Sequence, residues 1–394
     1  MSGPRGMNIP IARTSLTEME INSVLEPLRS GWLVQGTQVA AFEKAWNEFT
    51  GSKHSIAVTS CTTALHLSVA ALGLGPGDEV IVPAFTWIAT ANVVEHQGAT
   101  VVFCDIDLNT FNLDTEALEA AITPRTKGVI PVHLFGLAAE MDAINKIAAN
   151  AGLWVVEDAA CGFGGTYKGR HLGTLGDAGA FSFHPRKSIT TGEGGMITVQ
   201  DDELATRLRR LRDHGAALSD LQRHLGPKPY LLADHPDAGY NQRMTDIQGA
   251  LGRSQMERAD DILSERRRLS KVYDQAFAEL DWLQTPTVPE GCEHGYQSYP
   301  CLFKPEAITL DSIERIHEMR NAWMEKLQQN GVSTRPATHA VHMLSFYANK
   351  YGLKVEDFPN AYAAAQCSIS LPLFHGLTDE EQAYVIAQVK EGCR

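Results

Sequence analysis

The stretch GAFSFHPRKSITTGEGGMITV, residues 179–199, joins two apolar runs, GAFSF (179–183) and GMITV (195–199), through a loop with a lysine, several hydroxyls and two glycines. The runs are short, continuous and rich in aromatic and β-branched residues, as in strands covered on both faces. Similar runs recur upstream at SIAVT (55–59), VIVP (80–83), VVFCD (101–105), GVIPVHL (128–134) and WVVED (154–158). Helical spacing separates many of them. Leu65, Val69 and Leu72 precede Gly73, and residues 113–122 and 141–151 read likewise. Seven strands alternating with helices predict an α/β domain with a mainly parallel seven-stranded sheet.

Beyond the Gly-Pro-Lys-Pro loop (226–229), residues 244–280 carry apolar positions at helical spacing amid many charges, predicting a long amphipathic linking helix broken once. The chain is therefore divided into a large domain, 1–245, including the N-terminal segment, and a unit of linking helix and smaller C-terminal α/β domain, 246–394. The 394-residue length suits two domains. A formal net charge of −13 disfavours nucleic acid or an anionic membrane as partner, so an anionic substrate requires a local cationic pocket. Seven scattered cysteines without a CxxC pair, and no apolar stretch of spanning length, point to a reducing, cytoplasmic setting.

In open α/β sheets ligands collect beyond the carboxyl ends of the strands, so polar residues there deserve the first look. Ser60, Cys61, Thr62 and Thr63 lie between a strand and a helix start, where free N–H groups suit a phosphate or carboxylate, or where Ser60 or Thr62 simply caps the helix. Asp158 closes a buried strand, and a carboxylate there needs a partner, either a cationic ligand or an arginine. The glycines after it do not complete GxGxxG, because Tyr167 stands at the third position, so a dinucleotide-binding dehydrogenase is disfavoured. Trp87 follows VIVP and reads as core or as a stacking surface for a flat ligand. A lysine in a polar loop is ordinarily a solvated charge, and Lys187 has Glu193 as a surface partner; after a strand end it can equally bind phosphate or act as a nucleophilic amine. An anion site, a buried carboxylate, a lysine and an aromatic together match pyridoxal 5'-phosphate (PLP).

The motifs that carry this assembly resemble the DegT/DnrJ/EryC1/StrS family of PLP-dependent sugar aminotransferases, which share the aspartate aminotransferase fold, fold type I. They run from GWLVQGTQVAAFE (31–43) through SCTTALHLSVAALGLGPGDEVIVPAFTWIATANVV, DIDLNTFNLD, PVHLFG, VVEDAA, FSFHPRKSITTGEGG and GYNQRMTDIQGALG to THAVHMLSFY and SLPLFHGLTDEE (370–381). The resemblance implies Lys187 as the Schiff-base lysine and Asp158 as partner of the pyridine nitrogen, these two being catalytic. It implies Trp87 as the stacking ring and Cys61, Thr62 and Ser182 as phosphate contacts. Cys161 takes the place of the glutamine or histidine that in many relatives contacts the cofactor's phenolic oxygen; a thiol is a weaker donor. Asn241 is implied to reach the phosphate of a neighbouring subunit, making a homodimer with shared sites, and Arg243 and His342 to face the substrate.

The implied reaction is ping-pong transamination from an amino acid, L-glutamate by family habit, to a nucleotide-linked keto sugar. A depressed Lys187 pKa is expected for it, through desolvation and nearby positive character. The rival readings are a PLP-dependent sugar dehydratase, disfavoured because those relatives carry histidine at the lysine position, and a noncatalytic cofactor-binding homologue. His339 and His342 lack a third ligand for zinc, Asp105 and Asp107 read as a strand end and turn, and Arg266, Arg267 and Arg268 as a solvated face.

Overall fold

The computed structural model describes residues 7–218, 230 and 232–392. The Gly-Pro-Lys-Pro loop and Cys393 lie outside the described residues. A seven-stranded sheet runs in the order His54–Val58, Gly195–Val199, Ala178–Ser182, Trp154–Asp158, Thr126–Val129, Glu79–Pro83, Thr100–Cys104. Gly195–Val199 is antiparallel to both neighbours and every other pair is parallel. The mainly parallel α/β architecture expected from the alternating runs is thus present. Two runs, WVVED and GMITV, coincide with their strands to the residue. The run at 128–134 is cut short at Val129, because Pro131 has no N–H for the ladder.

Because six strands point the same way, their carboxyl ends share one edge, and the loops after Val58, Pro83, Asp158 and Ser182 converge there. Ser60 begins the helix Cys61–Ala71 by accepting the Thr63 N–H at 3.1 Å on its hydroxyl. Capping is therefore real here, yet it engages Thr63 only and leaves the first turn's other donors open.

The linking segment breaks where one interruption was expected, between the helices Asp246–Met256 and Ala259–Phe277. The first packs against the helices Glu18–Ser30 and Thr37–Thr50. Its buried Asp246 accepts from the backbone N–H groups of Gly36 (2.7 Å), Val39 (3.0 Å) and Gln38 (3.2 Å), so a residue some two hundred positions downstream caps Thr37–Thr50. Arg266 corrects the reading of a solvated basic face: it is 3% exposed and donates to the carbonyls of Tyr296 (3.0 Å), Gln297 (3.2 Å) and Leu373 (3.3 Å). Its Leu269 side of the helix faces the core, and the arginine is carried inward with it.

The C-terminal part holds a three-stranded antiparallel sheet, Leu283–Gln284, Tyr299–Phe303 and Ser368–Leu371, covered by the helices Ile313–Gln329, Pro359–Cys367 and Asp379–Glu391. Ile9 pairs with Val332 of this part, and Asp105, at the end of a large-sheet strand, accepts from the N–H groups of Asn360 (3.1 Å) and Ala361 (2.8 Å) at the start of Pro359–Cys367. Among the described residues no helix is long and apolar enough to cross a membrane, and no group of three or more ligating side chains could hold a metal ion. Asp246→Ala is expected to lower unfolding free energy by roughly 1–3 kcal/mol, since three buried N–H groups lose their acceptor. Urea denaturation with an unchanged midpoint would show that the cap is dispensable.

Candidate active site

Asp158 ends its strand 4% exposed. One carboxylate oxygen accepts the Thr90 hydroxyl at 2.7 Å and the other the Ala160 N–H at 3.1 Å. Burial pushes its pKa up, while these two hydrogen bonds and the charge of Lys187 pull the other way. Among the described residues it has no cation within ion-pair distance, so its charge is offered to whatever occupies the space above the strand end. Thr90 lies on the helix Ala89–His96, one turn after Trp87, and nothing in the sequence marks it as the aspartate's partner.

Lys187 turns back from its loop to place Nζ 3.2 Å from the Cys161 sulfur. It is not paired with Glu193, which is exposed. Burial lowers the lysine's pKa, but Cys161, Cys61 and Asp158 around it more than compensate, and the net position lies above the ordinary lysine value. The expected depression is therefore overturned: the groups around Lys187 are acidic rather than basic, and they hold its pKa up.

The remaining wall comes from the helix Cys61–Ala71 and the two strands below it. Cys61 turns its thiol to the Ala180 carbonyl at 3.5 Å, Thr62 is exposed at the helix start, and half-buried Ser182 accepts the His184 N–H at 3.4 Å. Gly195 pairs with Val58 on one side and Ser182 on the other. A Cβ there would lie 2.4 Å from the Ser60 carbonyl carbon and oxygen and 2.7 Å from the Cys61 nitrogen, so only glycine lets the helix start sit this low over the sheet.

Trp87 is 56% exposed, which removes the core reading and leaves a broad apolar face open at the site. Its ring meets that of His339 at 5.5 Å, edge to face, where His339–Ala340 pairs with Phe85–Thr86. His342, by contrast, is fully buried against Phe358, at 5.0 Å between ring centroids, with the Ala84 carbonyl facing its ring and its pKa lowered to about 4 by burial. The structure does not bring it to the site surface, because the turn Val341–Met343 points it inward. Asn241 is exposed and makes no hydrogen bond to the other candidate residues, and Arg243 is tied to Asp213. Two partners that the sequence did not announce are Glu157 and His133, whose buried side chains meet at 2.7 Å on the opposite face of the Asp158 strand.

A buried carboxylate without a cation, an amine, an open helix N-terminus and an exposed aromatic face fit a phosphorylated pyridine. The comparisons with known proteins agree. The model of the DegT/DnrJ/EryC1/StrS aminotransferase family matches residues 14–390, and the chain belongs to this family. It is 40% identical to the spore coat polysaccharide biosynthesis protein SpsC of Bacillus subtilis, over 97% of this chain and 96% of that one. It is 40% identical to the GDP-perosamine synthase of Caulobacter vibrioides, over 97% and 98%. The putative sugar aminotransferase Spr1654 of Streptococcus pneumoniae in its PMP form superposes with a TM-score of 0.89 at 31% identity, covering 98% of this chain and 97% of that one. The fold is that of the type I PLP-dependent enzymes, and the chain is a PLP-dependent aminotransferase.

Gly195→Ala is expected to weaken PLP retention about tenfold or more, equivalent to ~1.4 kcal/mol, because the Ser60–Cys61 peptide must retreat from the strand. Titrating the stripped protein with PLP and following its visible band checks this; unchanged affinity would mean that the helix start does not hold the phosphate.

Proposed function

We propose that the enzyme moves an amino group from an amino acid, L-glutamate, to a nucleotide-linked keto-deoxy sugar, in the cytoplasm, as a step toward amino sugars for a surface polysaccharide or glycoside. The observation that carries the site assignment is the placement of Lys187 and Asp158 on adjacent strand ends, with the amine held inside and the carboxylate buried. The printed names of the relatives, a perosamine synthase and a spore coat polysaccharide protein, support the sugar class.

When bound, PLP supplies an electron sink for the charge left on the donor's Cα as its proton departs. The Lys187 amine is the covalent anchor and, once released, the base that carries that proton. Asp158 keeps a proton on the ring nitrogen; its buried carboxylate gains a cationic neighbour in doing so. The Trp87 face would cover the ring, and the Cys61 N–H, Thr62 and Ser182 would hold the phosphate. Cys161, beside the anchor, would be the group to meet the phenolic oxygen. The substrate meets Arg243 and, in place of buried His342, the exposed His339 beside Trp87. The division at 245/246 puts PLP contacts in the large domain and leaves the smaller one to close over the substrate.

Asn241, exposed and with no side-chain hydrogen bond among the described residues, is assigned to the phosphate of a second copy. Leu28, Leu33, Val34, Tyr240 and Phe346 are large exposed apolar side chains available to a homodimer interface. Mixing Lys187→Ala with Asn241→Ala subunits, each inactive alone, is expected to restore roughly a quarter of wild-type turnover, since half the dimers are mixed and each has one intact site. No recovery after verified subunit exchange would exclude a shared site.

Lys187→Ala is expected to abolish both the visible cofactor band and turnover, and Asp158→Asn to lower kcat by about 10²–10³-fold. Because only the neutral amine attacks and Lys187 is held above its usual value, the rate of PLP loading should rise as pH increases from 7 to 9. A flat stopped-flow profile would contradict that upward shift. Mass spectrometry of products from a panel of nucleotide keto sugars with glutamate identifies the acceptor; sugar products without nitrogen would overturn aminotransfer.

A further inference from the structure

Beyond facing the cofactor's phenolic oxygen, Cys161 carries a thiol whose nucleophilicity aminotransfer does not use, and it touches the amine on which the reaction depends. Among the described residues it is the only cysteine whose sulfur accepts a hydrogen bond from a cationic side chain, at 3.2 Å from Lys187 Nζ. The other sulfurs lie differently. Cys61 donates to the Ala180 carbonyl, Cys104 donates to the Asp114 carbonyl, Cys301 and Cys367 are fully buried, and Cys292 is on the surface strand Cys292–Glu293. Cys161 itself is half-buried, and with Lys187 it lines a crevice shared with Ser182, Ser188 and Gln297. A small oxidant that reaches the half-buried sulfur meets a thiol that already touches an amine.

We propose that Cys161 and Lys187 form a reversible oxidative cross-link whenever the lysine is not covalently engaged. Hydrogen peroxide, the oxidant named here, gives one oxygen to the thiol, forming a sulfenic acid and releasing one water. The Lys187 amine then attacks that sulfur, an S–N bond forms, the S–O bond breaks, and a second water leaves with a proton passing to solvent. The sulfur is oxidised by two electrons and the peroxide is reduced. Two equivalents of a small thiol reverse the link, restoring Cys161 and Lys187 and forming one external disulfide. The amine thereby diverts the sulfenic acid from irreversible overoxidation. It also removes the group that anchors PLP; this consequence rests on the function proposed above, whereas the cross-link itself does not.

Peroxide treatment of the full-length protein stripped of PLP, followed by mass spectrometry, tests this. The expected product is lighter by two hydrogen atoms, with the Lys187 and Cys161 peptides joined, and dithiothreitol restores the original mass. Cys61→Ser should retain the link. Lys187→Ala should instead take up oxygen at Cys161 that dithiothreitol does not remove. The PLP-loaded protein should resist cross-linking at least about tenfold, corresponding to ~1.4 kcal/mol. A Cys61–Cys161 disulfide, or oxygen added to Cys161 with Lys187 free, would overturn the proposal. A link that forms equally in loaded protein would leave the chemistry standing and remove Lys187 as the anchor.

Discussion

Glu157 and Asp158 are consecutive carboxylates buried on opposite faces of one strand, as strand alternation requires. Each must find partners, since an unpaired buried charge is costly. Glu157 is fully supplied: His133 donates at 2.7 Å and the N–H groups of Gly173, Leu175 and Gly176 at 2.7, 2.6 and 2.6 Å. His133 takes the Ala139 N–H on its other nitrogen, which fixes the neutral tautomer donating to the glutamate. This one carboxylate therefore fastens the strand to the turn at 133–139 and to the loop leading into Ala178–Ser182. Asp158 faces the other way with only two donors. The rigidity is spent on Glu157, and the availability is left to Asp158.

The same asymmetry governs the lysine. Lys187 lies among thiols and a carboxylate, which hold its pKa up against burial. Its charge favours the ionised form of Asp158, yet the two form no ion pair among the described residues, and the carboxylate is left for a cationic ligand.

Much of this was legible in residue order. Strand ends are short-range features, so WVVED and GMITV declared themselves, and the residues after them carried the chemistry. What was hidden depends on distance. Asp246 looks like an ordinary first-turn acid of its own helix, and its capping of another is decided by tertiary packing. Arg266 stands in a run of arginines, and only the helix's rotation sends it inward. His339 and His342 are three apart and chemically identical, and the tight turn Val341–Met343 decides which reaches the surface. The direction of the Lys187 pKa shift is hidden for the same reason: Cys161, Cys61 and Asp158 come to it from separate segments.

Within the large sheet the edge strand His54–Val58 pairs with Gly195–Val199, the last of the seven to be synthesised. Until that strand leaves the ribosome, the first has an unsatisfied ladder, and the helix start at Cys61 has no floor. The loop bearing Lys187 lies just ahead of it in the chain. Sheet closure and assembly of the catalytic pocket are thus the same late folding event, driven by a pairing of high sequence separation. A nascent chain halted before residue 195 would have the lysine without the pocket.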